Sequence, residues 1–361
     1  MKPKKVAIVA EWMTSRGGAE KVVLSLLEIF PQADIFTTVY NKELFPELKS
    51  KKIKTSFLQY LPYLNKKHQY LFPLMPWAVG SLDLKGYDLI ISSSSAFGKG
   101  IRKPQGAIHV CYCHTPMRYV WQPEIDDRLI KQPFGNWIIT ELKRWDLKSN
   151  KNVNFFVSNS SYTRQRIKDS YDRDAEVIYP PACPVRDIQS NGVDSSKKRK
   201  DFYFAISRLI PYKKIDLAIK ACNELQRKLI VAGIGPEFEN LKKLAGPTIL
   251  IAGRIDESEK SRLFQEAKAL IFPAEEDFGI VPVEAMSSGC PVVAFKHGGT
   301  SETIIDGKTG VLFEEQSVDS LKRAILKAEK TEFKSIELKE QAKKFSKVEF
   351  IKKFKKFVER I

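Results

Sequence analysis

The chain repeats one pattern twice. Short apolar runs alternate with stretches whose apolar residues recur at helical spacing, and the alternation is interrupted once. In the first series strands are expected over residues 6–10, 34–39, 88–92, 107–113, 154–157 and 176–179, with helices over 20–30 and 162–169. Pro180-Pro181 and the polar run 189–201 (QSNGVDSSKKRKD) then break the pattern as a linker would. It restarts with strands over 202–206, 228–232, 248–252, 269–272 and 291–294 and helices over 216–224, 237–245, 258–267 and 282–288, followed by a helical tail. Parallel strands need a crossover between them, so such alternation implies parallel, doubly wound α/β sheets. The expectation is two Rossmann-like domains, 1–185 and 186–345, with a ligand cleft between them. In the last segment, 346–361, Ser346 and Glu349 have capping-box spacing. Phe350, Phe354, Phe357 and Val358 share one face there, with Lys352, Lys353, Lys355 and Lys356 largely elsewhere. This helix is expected to pack on a core, and the first domain is one candidate.

Composition narrows the class. A length of 361 residues with 43% hydrophobic content suits two domains with their own cores. No apolar run is long enough to span a bilayer, and the basic start enters a strand too directly for a signal peptide. Cys111, Cys113, Cys183, Cys222 and Cys290 are odd in number and dispersed, so neither a disulfide framework nor a zinc cluster is expected, and the reducing cytoplasm is the expected setting. The net charge of +17 admits nucleic acid, an anionic membrane face, phosphorylated substrates or a lysine-rich solvated surface. No nucleic-acid-binding motif is present to favour the first.

The chemistry concentrates in a few loops. Glu275-Glu276-Asp277-Phe278-Gly279-Ile280-Val281-Pro282-Val283-Glu284 reads as strand end, acidic loop and helix start, with Pro282 in the first turn and Gly289 at the stop. Free amides and the positive helix end suit a pyrophosphate. Glu276 and Glu284 could accept hydrogen bonds from a sugar and a ribose, or be solvated charges. Arg208 and Lys213 follow the first strand of the second series. Gly17-Gly18 joins the first strand to the first helix, allowing close backbone approach to a ligand. His114 and Arg118 follow the strand ending at Cys113.

These segments resemble glycosyltransferase family 4, whose signature Glu-x-Phe-Gly-x-x-x-x-Glu is matched by Glu276, Phe278, Gly279 and Glu284. Ala285-Met286, Gly289-x-Pro291-Val292-Val293 and Gly298-Gly299-x-x-Glu302 fit as well. The resemblance implies a GT-B fold and transfer from a nucleotide-sugar with retained configuration. Arg208 and Lys213 would clamp the donor diphosphate, where fixed cations stabilise charge developing on the leaving group. Lys214 replaces the usual glycine and is read as a further phosphate contact or a surface charge. Gly17 and Gly18 would face the diphosphate, while Gly233, Arg254, Phe278, Gly279, Ile280 and Val281 belong to the donor-binding loops. His114-Thr115-Pro116-Met117-Arg118-Tyr119 resembles a mannosyl-transferring subset, which suggests GDP-mannose. It places His114 beside the reacting sugar and makes Arg118 an acceptor contact or an internal salt bridge. In residues 88–100 Ser95 stands where related sequences often carry histidine, leaving that loop without an assigned role.

No carboxylate on the far face of the sugar is identifiable, so front-face substitution is expected, with no metal and no cofactor besides the co-substrate. Asp172-Arg173-Asp174 reads as a turn. Between Lys49 and Leu82 acids are absent. Lys49, Lys51, Lys52, Lys54, Lys66 and Lys67 interleave there with Phe57, Leu58, Tyr60, Leu61, Tyr63, Tyr70, Leu71, Phe72 and Trp77. This suits an anionic inner membrane face and a lipid-diphosphate or glycan acceptor, or aromatics packed inside the domain under solvated lysines. The rival readings are a GT-B sugar-nucleotide epimerase and, from another class, a basic nucleic-acid-binding protein.

Overall fold

The computed structural model describes residues 5–61, 72–182 and 199–361. Residues 1–4, Tyr63, Lys66, Lys67, Tyr70, Leu71, Cys183 and positions 189–198 of the expected linker lie outside the described residues. The chain divides into two units: Met1–Pro181 with Phe350–Ile361, and Ala182–Glu349. The division falls four residues before the expected boundary.

Unit 1 runs β1 (Val6–Ala10), α1 (Gly18–Ile29), β2 (Asp34–Thr37), β3 (Ile53–Thr55), α2 (Met75–Gly80), β4 (Leu89–Ser94), β5 (Ile108–Cys113), α3 (Arg118–Trp121), α4 (Gly135–Asn150), β6 (Phe155–Ser158), α5 (Ser161–Tyr171) and β7 (Ala175–Val177). Its seven strands are all parallel in the order β3-β2-β1-β4-β5-β6-β7. β1 is buried along its whole length, as a strand covered on both faces should be. Ile8 points into the core that contains Val22 and Leu26 of α1, and Val9 into the opposite core with Ile90 and Phe97. The chain winds from β1 to β2 and β3, then returns to place β4 on the other side of β1, so the winding direction reverses between β1 and β4.

Unit 2 runs β8 (Tyr203–Ile206), α6 (Ile215–Leu225), β9 (Leu229–Ala232), α7 (Phe238–Leu244), β10 (Ile249–Gly253), α8 (Glu257–Glu266), β11 (Leu270–Phe272), α9 (Ile280–Ser287), β12 (Val292–Phe295), α10 (Thr300–Thr303), β13 (Gly310–Phe313), α11 (Val318–Glu329) and α12 (Ser335–Lys343). Its six strands are parallel in the order β10-β9-β8-β11-β12-β13, and the winding reverses between β8 and β11. Gly289 ends α9 as expected: the Cys290 amide donates to Ala285 O at 2.8 Å and the Gly289 amide to Met286 O at 2.9 Å, the paired bonds of a Schellman stop.

The last helix, α13 (Lys347–Val358), carries Phe350, Phe354 and Phe357 into the unit 1 core beside Ile8 and Tyr112. The Tyr112 and Phe350 rings meet edge-on at 5.8 Å. Ser346 Oγ accepts from the Glu349 amide at 3.3 Å, but Ser346's own amide bonds to Lys343 O at 3.1 Å, so the α12 end takes the donor that the expected box assigned to Glu349.

α4 and β13 are among the elements that escaped the sequence pattern. α4 is 16 residues long, yet its buried positions include Asp146, Ser149 and Asn150 while Trp137 and Leu147 are exposed, which blurs the apolar period. β13 is four residues long and begins with a glycine. Asp172-Arg173-Asp174 is a turn: Asp172 closes α5 in the left-handed conformation and meets Lys168 at 2.5 Å, while Arg164 holds Asp174 at 2.8 Å.

Candidate functional site

In open parallel sheets ligands settle beyond the carboxyl ends of the strands where the winding reverses. In unit 2 that point lies between β8 and β11, and the sequence-selected residues gather around it. Beyond β8, Lys213 ends the short turn Pro211–Lys213; beyond β11, Glu276 lies in the loop before α9. Lys213 Nζ and Glu276 Oε1 form an ion pair whose side chains are 13% and 20% exposed. Arg208, two residues beyond β8, is exposed and pairs with no carboxylate among the described residues. Lys214 is exposed and adopts φ 54°, the left-handed region, as it caps the start of α6. A glycine would sit there without strain, which accounts physically for the residue expected at this position.

The loop before α9 is braced from behind. Gly299 N donates to Glu276 O at 2.9 Å, and Gly298, at φ 81°, lies so close that an added Cβ would strike the same carbonyl. Gly279 provides the N-cap of α9, leaving the Ile280 and Val281 amides in the first turn. Phe278 is buried against the Phe345 ring at 5.6 Å. Its side chain therefore anchors the loop, and only its backbone is left for a donor contact. Glu284 is buried and accepts from Lys260 Nζ of α8 at 3.2 Å, so it is no solvated charge. Burial pulls the Lys260 pKa down, but Glu284 and Glu257 outweigh it and hold the ammonium above its ordinary value. Lys260 lies 24 residues from its partner in a helix of ordinary charged pattern, and nothing in the sequence singles it out. Gly233, beyond β9, sits at φ 135° where a Cβ would collide with Ser207 O, and its amide donates to Gly253 O at 2.7 Å. Arg254 follows β10 and is exposed. Loops beyond five successive strand ends thus bring together a paired cation, an exposed cation, two held carboxylates and helix amides.

Unit 1 has its own reversal point, between β1 and β4. Gly17 caps α1, but its amide donates to Glu20 Oε2 at 2.9 Å. That amide is therefore not open to a phosphate, contrary to the expectation for this loop, and the unassigned amide there is that of Gly18. His114 follows β5; its Nε2 lies 2.8 Å from Ser93 Oγ, and its ring meets Tyr112 edge-on at 5.1 Å. Arg118 is buried at the start of α3.

Nothing in the sequence singles out Glu11, directly beyond β1. It is buried, and its Oε1 accepts from Ser94 Oγ at 3.0 Å and from the amides of Ser95 at 2.8 Å, Ala96, and Gly98 at 3.0 Å. Burial raises its pKa and these donors pull it back. The loop at Ser95, left without a role above, is thus a carboxylate cradle. In the basic stretch, Leu58 is buried and Phe72 packs on Phe97 and Tyr119, whereas Tyr60 and Trp77 are 80% and 66% exposed. Lys54 lies over the Phe36 ring at 4.9 Å, and Lys51 bonds Pro31 O, so both lysines have roles within the unit.

Sequence profiles of two families match the chain: Glycosyltransferase Family 4 over residues 16–184 and Glycosyl transferases group 1 over 188–346. A crystal structure of Anabaena HepE in complex with UDP and glucose shares the fold, with TM-score 0.71 at 18% identity over 98% of this chain and 99% of that one. Fold and profiles define the GT-B class of glycosyltransferase folds. Within it, the chain belongs to glycosyltransferase family 4. It is similar to the GDP-mannose-dependent alpha-(1-6)-phosphatidylinositol monomannoside mannosyltransferase of Mycolicibacterium smegmatis, 29% identical over 46% of this chain and 50% of the relative. It is also similar to an alpha-1,3/1,6-mannosyltransferase of Candida albicans, 24% identical over 80% of this chain and 81% of the relative. The matched stretch thus spans about half the length of the first of these relatives.

Proposed function

We propose that the chain transfers a hexose, mannose from GDP-mannose, to a hydroxyl of a glycan or lipid-diphosphate-linked acceptor with retention of configuration. The observation that carries the reading is the Lys213–Glu276 pair at the reversal point of unit 2, beside Arg208, which pairs with no carboxylate among the described residues. An arriving diphosphate competes with Glu276 for Lys213 and gains Arg208, and the displaced carboxylate is then free to accept from hexose hydroxyls. As the C1–O bond to phosphate breaks, both cations meet the charge that develops on the leaving group. The acceptor oxygen bonds to C1 on the same face, and its proton passes to a leaving phosphate oxygen. Glu284 accepts from the ribose, the α9 amides and Gly18 approach the phosphates, and Gly233 and Arg254 border the base. His114 supports the hexose and Arg118 the acceptor side. The mannosyl-transferring relatives support the choice of sugar.

The reaction needs no metal on this reading, since lysine and arginine supply the positive charge; rates unchanged in excess EDTA are expected, and abolition by EDTA would contradict it. No helix among the described residues is long and apolar enough to cross a membrane. Peripheral attachment to an inner anionic face during surface polysaccharide assembly would use exposed Tyr60 and Trp77 with Lys49 and Lys52. Pelleting with liposomes should then rise with anionic lipid.

The deciding experiment is a panel of GDP-mannose, UDP-glucose, UDP-galactose and UDP-N-acetylglucosamine, read by thermal stabilisation and product analysis. GDP-mannose should stabilise most and lose its sugar to an acceptor or to water. A free nucleotide-sugar returned with altered stereochemistry would instead make the chain an epimerase.

A further inference from the structure

The Glu11 carboxylate is held on one side only. Four donors converge on Oε1, while Oε2 accepts from none of the described residues. The side chain is 6% exposed and lines a cavity of about 40 Å³ with Trp12, Ala19, Glu20, Ser93 and Ser95. A water or hydroxyl needs only about 15 Å³ of such space, so the cavity admits a hydroxyl group. A buried carboxylate fixed by four donors cannot turn away, and its second oxygen keeps its acceptor capacity unused by the described residues. The cavity stands at the reversal point of unit 1, where a parallel sheet takes its ligand. Its second carboxylate, Glu20, makes it unwelcoming to phosphate and suited to O–H donors. Ser93, on the same wall, also bonds His114, linking the cavity wall to that residue.

We propose that Glu11 is an acceptor-binding residue, its Oε2 receiving the hydrogen bond of the sugar hydroxyl that enters this cavity. The proposal rests on reading unit 1 as the half that holds the attacking hydroxyl. The Ser94–Gly98 cradle positions Glu11, and Glu11 positions the sugar.

The discriminating variant is Glu11→Gln. Its amide oxygen still serves the four cradle donors, so the loop stays in place, while its NH₂ turns a donor toward the cavity where an acceptor stood. Full-length wild type and variant are titrated calorimetrically with octyl α-D-mannopyranoside, with and without saturating GDP, and separately with GDP alone. Hexoside affinity should fall at least tenfold in the variant, with GDP affinity within twofold and the melting temperature preserved. Equal hexoside affinities, no hexoside binding by the wild type, or GDP and hexoside affinities falling together would each overturn the proposal. Failure of GDP to bind the wild type would sink the proposed donor, and the nucleotide-free titration would still decide the role of Glu11.

Discussion

Lys213 and Glu276 pair across the two strand ends, β8 and β11, between which unit 2 reverses its winding. Each neutralises the other at the place where a diphosphate would arrive, so their substitutions should separate binding from turnover. Glu276→Gln releases the ammonium: GDP should bind at least as tightly as to wild type, while turnover falls about 100-fold or more. Lys213→Ala should weaken GDP and reduce turnover together. Calorimetry with GDP and steady-state rates with GDP-mannose check both.

Arg208 offers the contrast. It is exposed and has no carboxylate partner among the described residues, so Arg208→Ala should leave stability within about 0.5 kcal/mol. Its turnover should nonetheless fall by about 100-fold. A urea melt beside a rate measurement tests the pair of outcomes; equal loss in both would mean the side chain serves the fold.

Lys214 holds a left-handed backbone at φ 54° without the freedom of glycine. Lys214→Gly should stabilise the chain by about 1 kcal/mol, since removing the Cβ relieves more than the added unfolded-state freedom costs. In a unit of this size that is a rise of about 2–4 °C in melting temperature. An unchanged or lower midpoint would show that Lys214 makes a compensating contribution.

Lys99 and Asp146 form a fully buried ion pair, and Asp146 also accepts from Trp121 Nε1 at 2.7 Å and Tyr171 OH at 2.8 Å. Lys99→Met leaves that carboxylate charged and uncompensated, so a loss of about 3–5 kcal/mol is expected. Lys99→Met with Asp146→Asn should recover part of it, because the second change removes the orphaned charge. Chemical denaturation of the two variants distinguishes this from simple loss of packing, in which the double variant would be the weaker.

His109 is buried, its Nδ1 donating to Asn152 O at 3.0 Å and its Nε2 lying 2.8 Å from Ser92 Oγ. Burial lowers its pKa from 6.5 to about 3. The unfolded chain therefore binds a proton that the folded chain refuses between those values. Its stabilising effect is complete above pH 6.5 and is lost toward pH 3, at about 1.4 kcal/mol per pH unit. In His109→Gln this part of the acid sensitivity should vanish, as urea midpoints at pH 7, 6, 5 and 4 would reveal. Parallel pH curves for the two proteins would refute it.

The buried strands at 6–10 and 202–206 were legible because a sheet covered on both faces demands continuous apolar runs, and the loop from Glu275 to Glu284 was legible because it combines an acidic turn, a helix start and a family signature. α4 was hidden by its own chemistry, since Asp146 on its buried face serves Lys99, Trp121 and Tyr171 rather than an apolar stripe. Phe278 looked like a ligand contact, but tertiary packing turned it toward Phe345. Lys260 and Glu11 were illegible for a different reason: each acquires its meaning from partners 24 and 83 to 87 residues away, brought near only by the order of the strands.

Three aromatic rings of the first unit, those of Phe350, Phe354 and Phe357, are supplied by the last helix of the chain. During synthesis, therefore, the unit begun first cannot be finished first. Residues 182–349 can emerge and close their own sheet while the earlier half still waits with an open seam. A released chain truncated before position 350 should display a settled second half and a protease-sensitive first one.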